Sequence, residues 1–594
     1  MKVFYNFLLI FFVFVLQIYP EIYRPPGYGA GSNIENNVYG FDIGFKSIEG
    51  DYYLTLNPVF EFPIFGFRIG LQIPLEVLIY DKEPLTAEKT PSLRPGTYDD
   101  KTDYFKIIRY ISYGTHLYFD PDDSFNWSLY YGIMTDGYIG HRTIINRYVS
   151  SYDPSVWSPG FMADINNNWG GLEVFANNAL RKEVRGYRIY LRPVGIFTSI
   201  WNVANNEYYT KNQIAYSIYE NKNPQLNKDF FFQTKVPEQG KGGSLRQHLL
   251  KPLKEDLKEE KIEFKEVFDP NTGEVKIVPV PKQEVNEPNI QETNKSKEKN
   301  KLQETSLSST DNQIISPKKH GFWNRWAIGY TIVTDYDAPL SLELDGSSNL
   351  VIDPETKLPR ADKVENLTVT GVDMEFRLSP FRWLDVTPYI DLNKFKHIDK
   401  SRGTHIGINF EMKLGKLLKW NLRPEYREIT SNYIPEYFDS SYAIERTQFM
   451  LKEGNTSNTT PKLAYLKSLP TDGAITKGYF LNSLLEIISF FVIELSYQDY
   501  DGPNNSRVYV GFYLPNLGGF FLNGYYTKKN FDKFKYAFIA KDENALLAAE
   551  AGISFYGGFY IKYIFQRTWT YNQQTGEYGP KDETSIGFGF GNNF

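Results

Sequence analysis

Residues Phe65 to Ile79 read "FGFRIGLQIPLEVLI". Every second position is apolar: Phe65, Phe67, Ile69, Leu71, Ile73, Leu75, Val77 and Ile79. Between them stand Gly66, Arg68, Gly70, Gln72, Pro74 and Glu76, and the alternation slips only at Leu78. A period of two marks a β-strand with one apolar and one wet face, since a helix repeats near 3.6. The pattern returns in Ile111, Tyr113, Thr115, Leu117 and Phe119, and in Phe125, Trp127, Leu129, Tyr131 and Ile133. Later examples are Trp326, Ile328, Tyr330 and Ile332; Ile406, Ile408, Phe410, Met412 and Leu414; and Phe559, Ile561, Tyr563 and Phe565. Such runs last about 8–15 residues, whereas soluble proteins use strands of about 5–6. A tilted strand crossing a bilayer needs about 9–11. A soluble sandwich alternates too, but its strands are short, and no repeat of about 20–50 residues marks a solenoid. Strand length favours a membrane barrel.

The connectors supply a second test, because membrane barrels alternate short turns with long loops. Backwards from the last strand, Ser585 to Phe594, the connectors run long (571–584), short (556–558), long (528–544), short (516–518) and intermediate (499–506). A tight turn near Ser489 precedes the very long segment 429–477, and the order continues through 415–418, 395–403, 379–382 and 335–365. The N-terminal side matches, with 81–103 and 135–159 long, and 61–64, 120–124 ("DPDDS") and 166–168 short. The expected fold is therefore all-β: one transmembrane antiparallel up-and-down barrel of about 20 strands, eight before Pro193 and twelve after Asn324.

Two segments break the pattern. Lys2 followed by "FLLIFFVFVLQI" resembles the basic start and apolar core of a signal peptide, assigned to residues 1–20, with an uncleaved anchor helix as the competing reading. The barrel then occupies 21–192 and 325–594, and residues 193–324 form an insert. Most of that insert is Lys, Glu, Asn, Gln and Ser, too polar to bury a core, so disorder is expected. One island, "VFDPNTGEVKIVPV", predicts a hairpin around Asn271-Thr272-Gly273. Strand parity hangs the insert on the short-turn side, the periplasm.

Composition narrows the partners. A net charge of −6 offers nothing to nucleic acid. Tyr 45 and Phe 44 raise the aromatic share to 16%, which suits strands. Cysteine is absent, excluding a disulfide scaffold and thiolate metal sites. Mean hydropathy of −0.42 is compatible with a barrel whose strands are half wet. Trp127, Trp157, Trp169, Trp326, Trp383, Trp420 and Trp569 fall near expected strand ends, as interfacial girdles require, although the core of a soluble sheet would also hold aromatics.

The chain ends "SIGFGFGNNF", with Ile586, Phe588, Phe590 and Phe594 on one face. This resembles the closing strand of bacterial outer-membrane β-barrels of the porin-like class, and Asn592 departs from that pattern. The resemblance implies a bacterial outer-membrane location, contact with outer-membrane lipid, and Phe594 as part of the signal read by the barrel-insertion machinery.

The wet faces carry the candidate chemistry. Arg188 and Arg192 share a face in "GYRIYLRP", as do Asp373, Glu375 and Arg377 in "VDMEFRL". Asp391 faces with Asn393; His405, Asn409, Glu411 and Lys413 face together; so do Asn421, Arg423, Glu425 and Arg427. If the apolar face meets lipid, these groups line the lumen, where they either tune a solute path or pair and plug it. No catalytic or metal-binding motif is present, and no cofactor is expected: "THIGIN" lacks the serine of a barrel phospholipase, and Asp335 and Asp337 in "VTDYDAP" read as solvated turn residues. The leading expectation is a non-enzymatic, porin-like channel for small hydrophilic solutes. A first strand beginning near Tyr39 leaves no room for the plug domain of energised transporters. Two alternatives stay open: an adhesin-like surface protein using loops 81–103, 135–159 and 429–477, and an export or assembly component that recruits a partner through its insert.

Overall fold

The computed structural model of the chain describes most of residues 38–197 and 326–591, together with 264–268 and 275–279. The expected signal segment, the "DPDDS" turn, Trp157, most of the insert and Phe594 lie outside the described residues.

The described chain is overwhelmingly strand. Its first half contributes β1 (Val38–Ile48), β2 (Asp51–Ile64), β3 (Phe67–Gln72 with Leu75–Tyr80) and β4 (Ser92–Leu93 with Ile108–Tyr113). Then come β5 (Phe125–Gly132), β6 (Gly160–Asn167), β7 (Gly170–Ala176) and β8 (Val184–Leu191). After the insert follow β9 (Trp326–Leu342), β10 (Ala361–Phe376 with Leu378–Phe381), β11 (Leu384–Phe395), β12 (Gly403–Leu414), β13 (Leu418–Thr430) and β14 (Ile475–Ile487). The chain closes with β15 (Phe491–Tyr500), β16 (Ser506–Leu517), β17 (Phe520–Phe531), β18 (Ala545–Ser554), β19 (Phe559–Asn572) and β20 (Glu577–Gly591). The sheet holds 23 segments, three of them second halves of an interrupted strand, so it has twenty positions. Each position pairs antiparallel with its neighbours in the chain. The first also pairs with the last, Gly40 opposite Gly591 and Gly44 opposite Gly587. Among the described residues no strand edge is left, and the pairing of the first position with the last closes the sheet on itself, the arrangement expected from the alternation.

Burial along the strands is inside-out. In β8, Val184, Gly186, Arg188 and Tyr190 are buried, while Tyr187, Ile189 and Leu191 stand 44%, 55% and 53% exposed. In β12, His405 is buried and Ile406 and Ile408 are exposed. Soluble folds do the reverse, hiding large apolar groups and exposing charge.

The stretch from Phe65 to Ile79 proves less regular than its letters. Phe65 is a turn residue with φ of 50° rather than part of a strand. Pro74, which has no N–H to give the ladder, separates the two halves of β3. Leu78, the one slip in the alternation, points inward with Tyr53 and is fully buried. The connector expected at 335–365 is also shorter, because β9 continues to Leu342 and β10 starts at Ala361. Asp362 to Asn366 are all exposed. A hairpin standing clear of the ring needs no apolar face, so pairing continues where the alternation signal has vanished.

At one end of the ring the connectors are brief, such as 168–169, 415–417 and 518–519; at the other they include 133–159 and 431–474. Trp127, Trp169, Trp326, Trp383 and Trp420 all sit at the short-turn end. Arg192 and Trp326, where the insert leaves and rejoins, lie at that same end. Residues 243–318 form a separate unit. Its described part is a hairpin, Phe264–Phe268 paired with Val275–Pro279, in agreement with the expected island.

Candidate functional site: the ionised interior

A connector that leaves a closed ring between neighbouring strands must cross the enclosed space to touch the inward residues of distant strands. Segment 133–159 joins β5 to β6, yet Arg147 Nε donates to Glu494 Oε1 of β15 at 2.8 Å and Nη1 to Ser496 Oγ at 3.1 Å. Its guanidinium also lies over the Tyr509 ring of β16, 4.4 Å from the centroid. On the way the segment meets β10, β11 and β13. The His141 ring stacks on Tyr389 at 4.3 Å, and Arg423 Nη1 donates to the His141 carbonyl. The Thr143 hydroxyl bonds the Asp391 carboxylate.

Segment 431–474, between β13 and β14, folds inward to meet it. Asn146 N donates to Phe438 O at 3.1 Å, Phe438 N to Ile144 O at 3.2 Å, and Glu436 N to Thr143 O at 2.9 Å. Around this seam the interior has a true core, including Ile139, Ile144, Ile145, Tyr148, Phe438, Tyr442 and Leu466 from the connectors. Inward residues of the wall complete it: Val184, Val333, Leu367, Val369 and Phe395. Ionic anchors hold the second connector to strands on both sides. Arg446 Nε donates to Asp335 Oδ2 of β9 at 2.8 Å, and Arg507 Nη1 of β16 donates to Asp439 Oδ2 at 2.7 Å. Lys529 of β17 binds both Asp439 and Glu445. Asp335, expected to be a solvated turn residue, is fully buried between Arg446 and the Tyr442 hydroxyl, because the connector folds over it.

The electrostatics of the connectors follow from these pairs. Burial alone would push the Glu436 carboxyl up, but Arg427 and Arg507 reverse this and hold it below the ordinary carboxylate range. Asp439 is likewise held low against burial, by Arg507, Lys529 and Lys462. Burial opposes the charge on Arg147, and Glu494 more than compensates, so its guanidinium titrates above its usual value. His141 is buried too, yet Asp373 and Glu375 raise its pKa above the ordinary histidine value. Its Nε2 lies 3.2 Å from Glu375 Oε2 and 3.5 Å from Asp373 Oδ1, charge contacts without hydrogen-bond alignment. Arg142, Arg147 and Glu436 have φ of 65°, 51° and 51°. These left-handed conformations cost on the order of 1 kcal/mol or more each, and the packed seam holds them.

Nine of the twelve residues singled out from the sequence fall into three ionic groups, and Arg192, Asp391 and Arg423 are bonded separately. Arg188 binds Asp373 and Glu173, and His141 lies against Asp373 and Glu375. Arg192 donates to the Asn167 carbonyl. Arg377 and Lys413 share Asp385, and Lys413 also meets Glu411 at 3.2 Å. Asp391 meets Thr143 and Arg423 meets His141, as described. The third group centres on Glu425, which takes His405 Nδ1 at 2.9 Å and Arg427; Arg427 reaches on to Glu436 at 2.9 Å. Sequence reasoning missed the connector residues Arg147, His141, Glu436, Asp439 and Arg446. The available signal was the apolar and aromatic density of "GYIGHRTIINRY" and "NYIPEYFDSSYAIER", too high for loops bathed in water.

The described contacts of both connectors fall mainly on β5 to β17, and residues 455–460 of the second also lie against β20. The remaining wall carries its own inward pairs: Lys46–Glu76, Arg94–Glu76, Arg68–Glu61, Arg109–Glu61 and Lys562–Glu550.

No protein-family model and no curated protein matches the chain. Solved structures that align over its length include the outer membrane protein OpdK from Pseudomonas aeruginosa, at 6% identity and TM-score 0.27, covering 93% of this chain and 97% of that one. OccD3 (OpdP) of the same organism aligns at 9% identity and TM-score 0.26, covering 97% of each chain. OccAB3 of Acinetobacter baumannii aligns at 8% and 0.24, covering 94% and 98%. Likenesses this faint carry no inference about what this chain does.

Proposed function

We propose that the protein is a porin-like channel of the bacterial outer membrane that passes small hydrophilic solutes. One observation carries the reading: a closed ring of twenty strand positions with an apolar exposed face and an ionised inner one. Such a ring is stable where its outer surface meets hydrocarbon, and charged groups of both signs on the inside hold water and dissolved ions. Ion-paired connectors fold into the interior and narrow it. Solutes then pass beside them, along the wall bearing Lys46, Arg68, Arg94, Arg109 and Lys562 with Glu61, Glu76 and Glu550. In this orientation the short turns and the insert face the periplasm, and Phe594 serves the insertion machinery. Protease added to intact cells would then leave the insert uncut.

The alternative that uses 135–159 and 429–477 as adhesive loops loses support, since Ile145, Phe438 and their neighbours are buried. The deciding experiment is reconstitution in planar bilayers. Discrete, small conductance steps are expected; folded protein that inserts and gives none would refute the channel.

A further inference from the structure

The connector between β17 and β18 behaves unlike the two that turn inward. In the wall beside it, Tyr497 stands opposite Val508, and Tyr526 opposite both Val510 and Leu547, all on one face. That face is the outer one: Leu495, two residues before Tyr497, is exposed, while Glu494 and Ser496 hold Arg147 inside. Residues 532–539 lap back over it. Ala537 is fully buried against Val508 and Tyr526. The Tyr526 hydroxyl donates to Ala537 O and Lys528 Nζ to Tyr536 O, each at 2.8 Å. The rings of Phe534 and Phe538 stand 5.7 Å and 6.1 Å from those of Tyr497 and Tyr526.

The strap reads "DKFKYAFI", basic and aromatic residues interleaved. Phe534 and Phe538 remain 59% and 57% exposed, with Lys533 and Lys535 exposed between and beside them and Asp532 the one acid. Large rings displayed to water at the rim of an apolar wall are unfavourable. At a membrane interface the same rings sit at headgroup level and neighbouring lysines reach lipid phosphates. We propose that residues 532–539 form a lipid-binding strap on the outer wall, with Lys533 and Lys535 taking the phosphate of a phosphorylated lipid headgroup between the rings of Phe534 and Phe538. The proposal rests on the membrane placement argued above and adds a ligand to it.

The test uses the purified full-length protein in detergent micelles, with diphosphorylated lipid A as the probe and binding read by native mass spectrometry. Lys533→Ser with Lys535→Ser is expected to weaken lipid A binding on the order of tenfold or more, from about a factor of five per lysine. Phe534→Ser with Phe538→Ser is expected to weaken it as well. Both lysines are exposed, so the lipid-free thermal midpoint stays unchanged. Equal binding by the lysine variant overturns the strap, as does equal binding of a phosphate-free glycolipid or displacement by equimolar inorganic phosphate. Conductance steps in planar bilayers are read in parallel. Steps retained while lipid binding fails the test count against the strap alone, whereas absent wild-type steps count against the channel.

Discussion

At Arg147 a buried guanidinium joins one connector to the opposite wall through Glu494, Ser496 and the Tyr509 ring. Removing one partner of a buried pair strands the other, at a cost of about 3–5 kcal/mol. Arg147→Ala is therefore expected to lower the thermal midpoint and, by freeing the segment 133–159, to enlarge the conductance step; an unchanged step would show that this segment does not narrow the path. His141 sets a pH dependence. It faces Asp373 and Glu375, with Arg188 opposing, and its pKa is raised in the folded protein. The stabilisation is fully present below the unfolded value of about 6.5 and is lost as pH rises through the folded value. Conductance is expected to rise across that window in the wild type and to be flat in His141→Gln, measured in bilayers at stepped pH.

The two inward connectors form one element in space although residues 145 and 438 are far apart in the chain. Ile145 and Phe438 pair as an isolated parallel bridge. Since cysteine is absent from the chain, Ile145→Cys with Phe438→Cys introduces a single possible disulfide. That bond is expected to form on oxidation, detected as a mobility shift on a non-reducing gel. Failure to crosslink in folded protein would mean the connectors do not meet. Acid acts on the same element. Glu436 and Asp439 are held low, so their contribution is present above the unfolded carboxylate values and is lost only as pH falls through the depressed ones.

Closure of the whole ring depends on the contact of β1 with β20. Glycine is frequent there: Gly40, Gly44, Gly587, Gly589 and Gly591 fall in the paired register. A Cβ at Gly44 would stand 2.7 Å from Thr55 Oγ1 and 3.1 Å from the Ile586 carbonyl. The backbone oxygen cannot give way as a side chain can. Gly44→Val is expected to lower the fraction of folded, heat-resistant barrel on a semi-native gel, while a substitution at the exposed Phe45, such as Phe45→Leu, leaves it unchanged.

A period of two is a local property, and so the strands, their number and the polarity of their faces were legible in the chain. Arg188, His405, Glu425 and Arg427 lie on the wet face of alternating runs, and all four are buried with ionic partners. What no local pattern contains is where a connector goes once it leaves its strand. Arg147 reaches Glu494 across 347 residues, and Asn146 reaches Glu436 across 290. Those contacts exist because the ring curves these segments into a shared interior. The same curvature, met from outside, lays Ala537 on the outer wall. Strand identity came from neighbours two positions apart; the inward or outward fate of each connector depended on surfaces assembled only when the ring had closed.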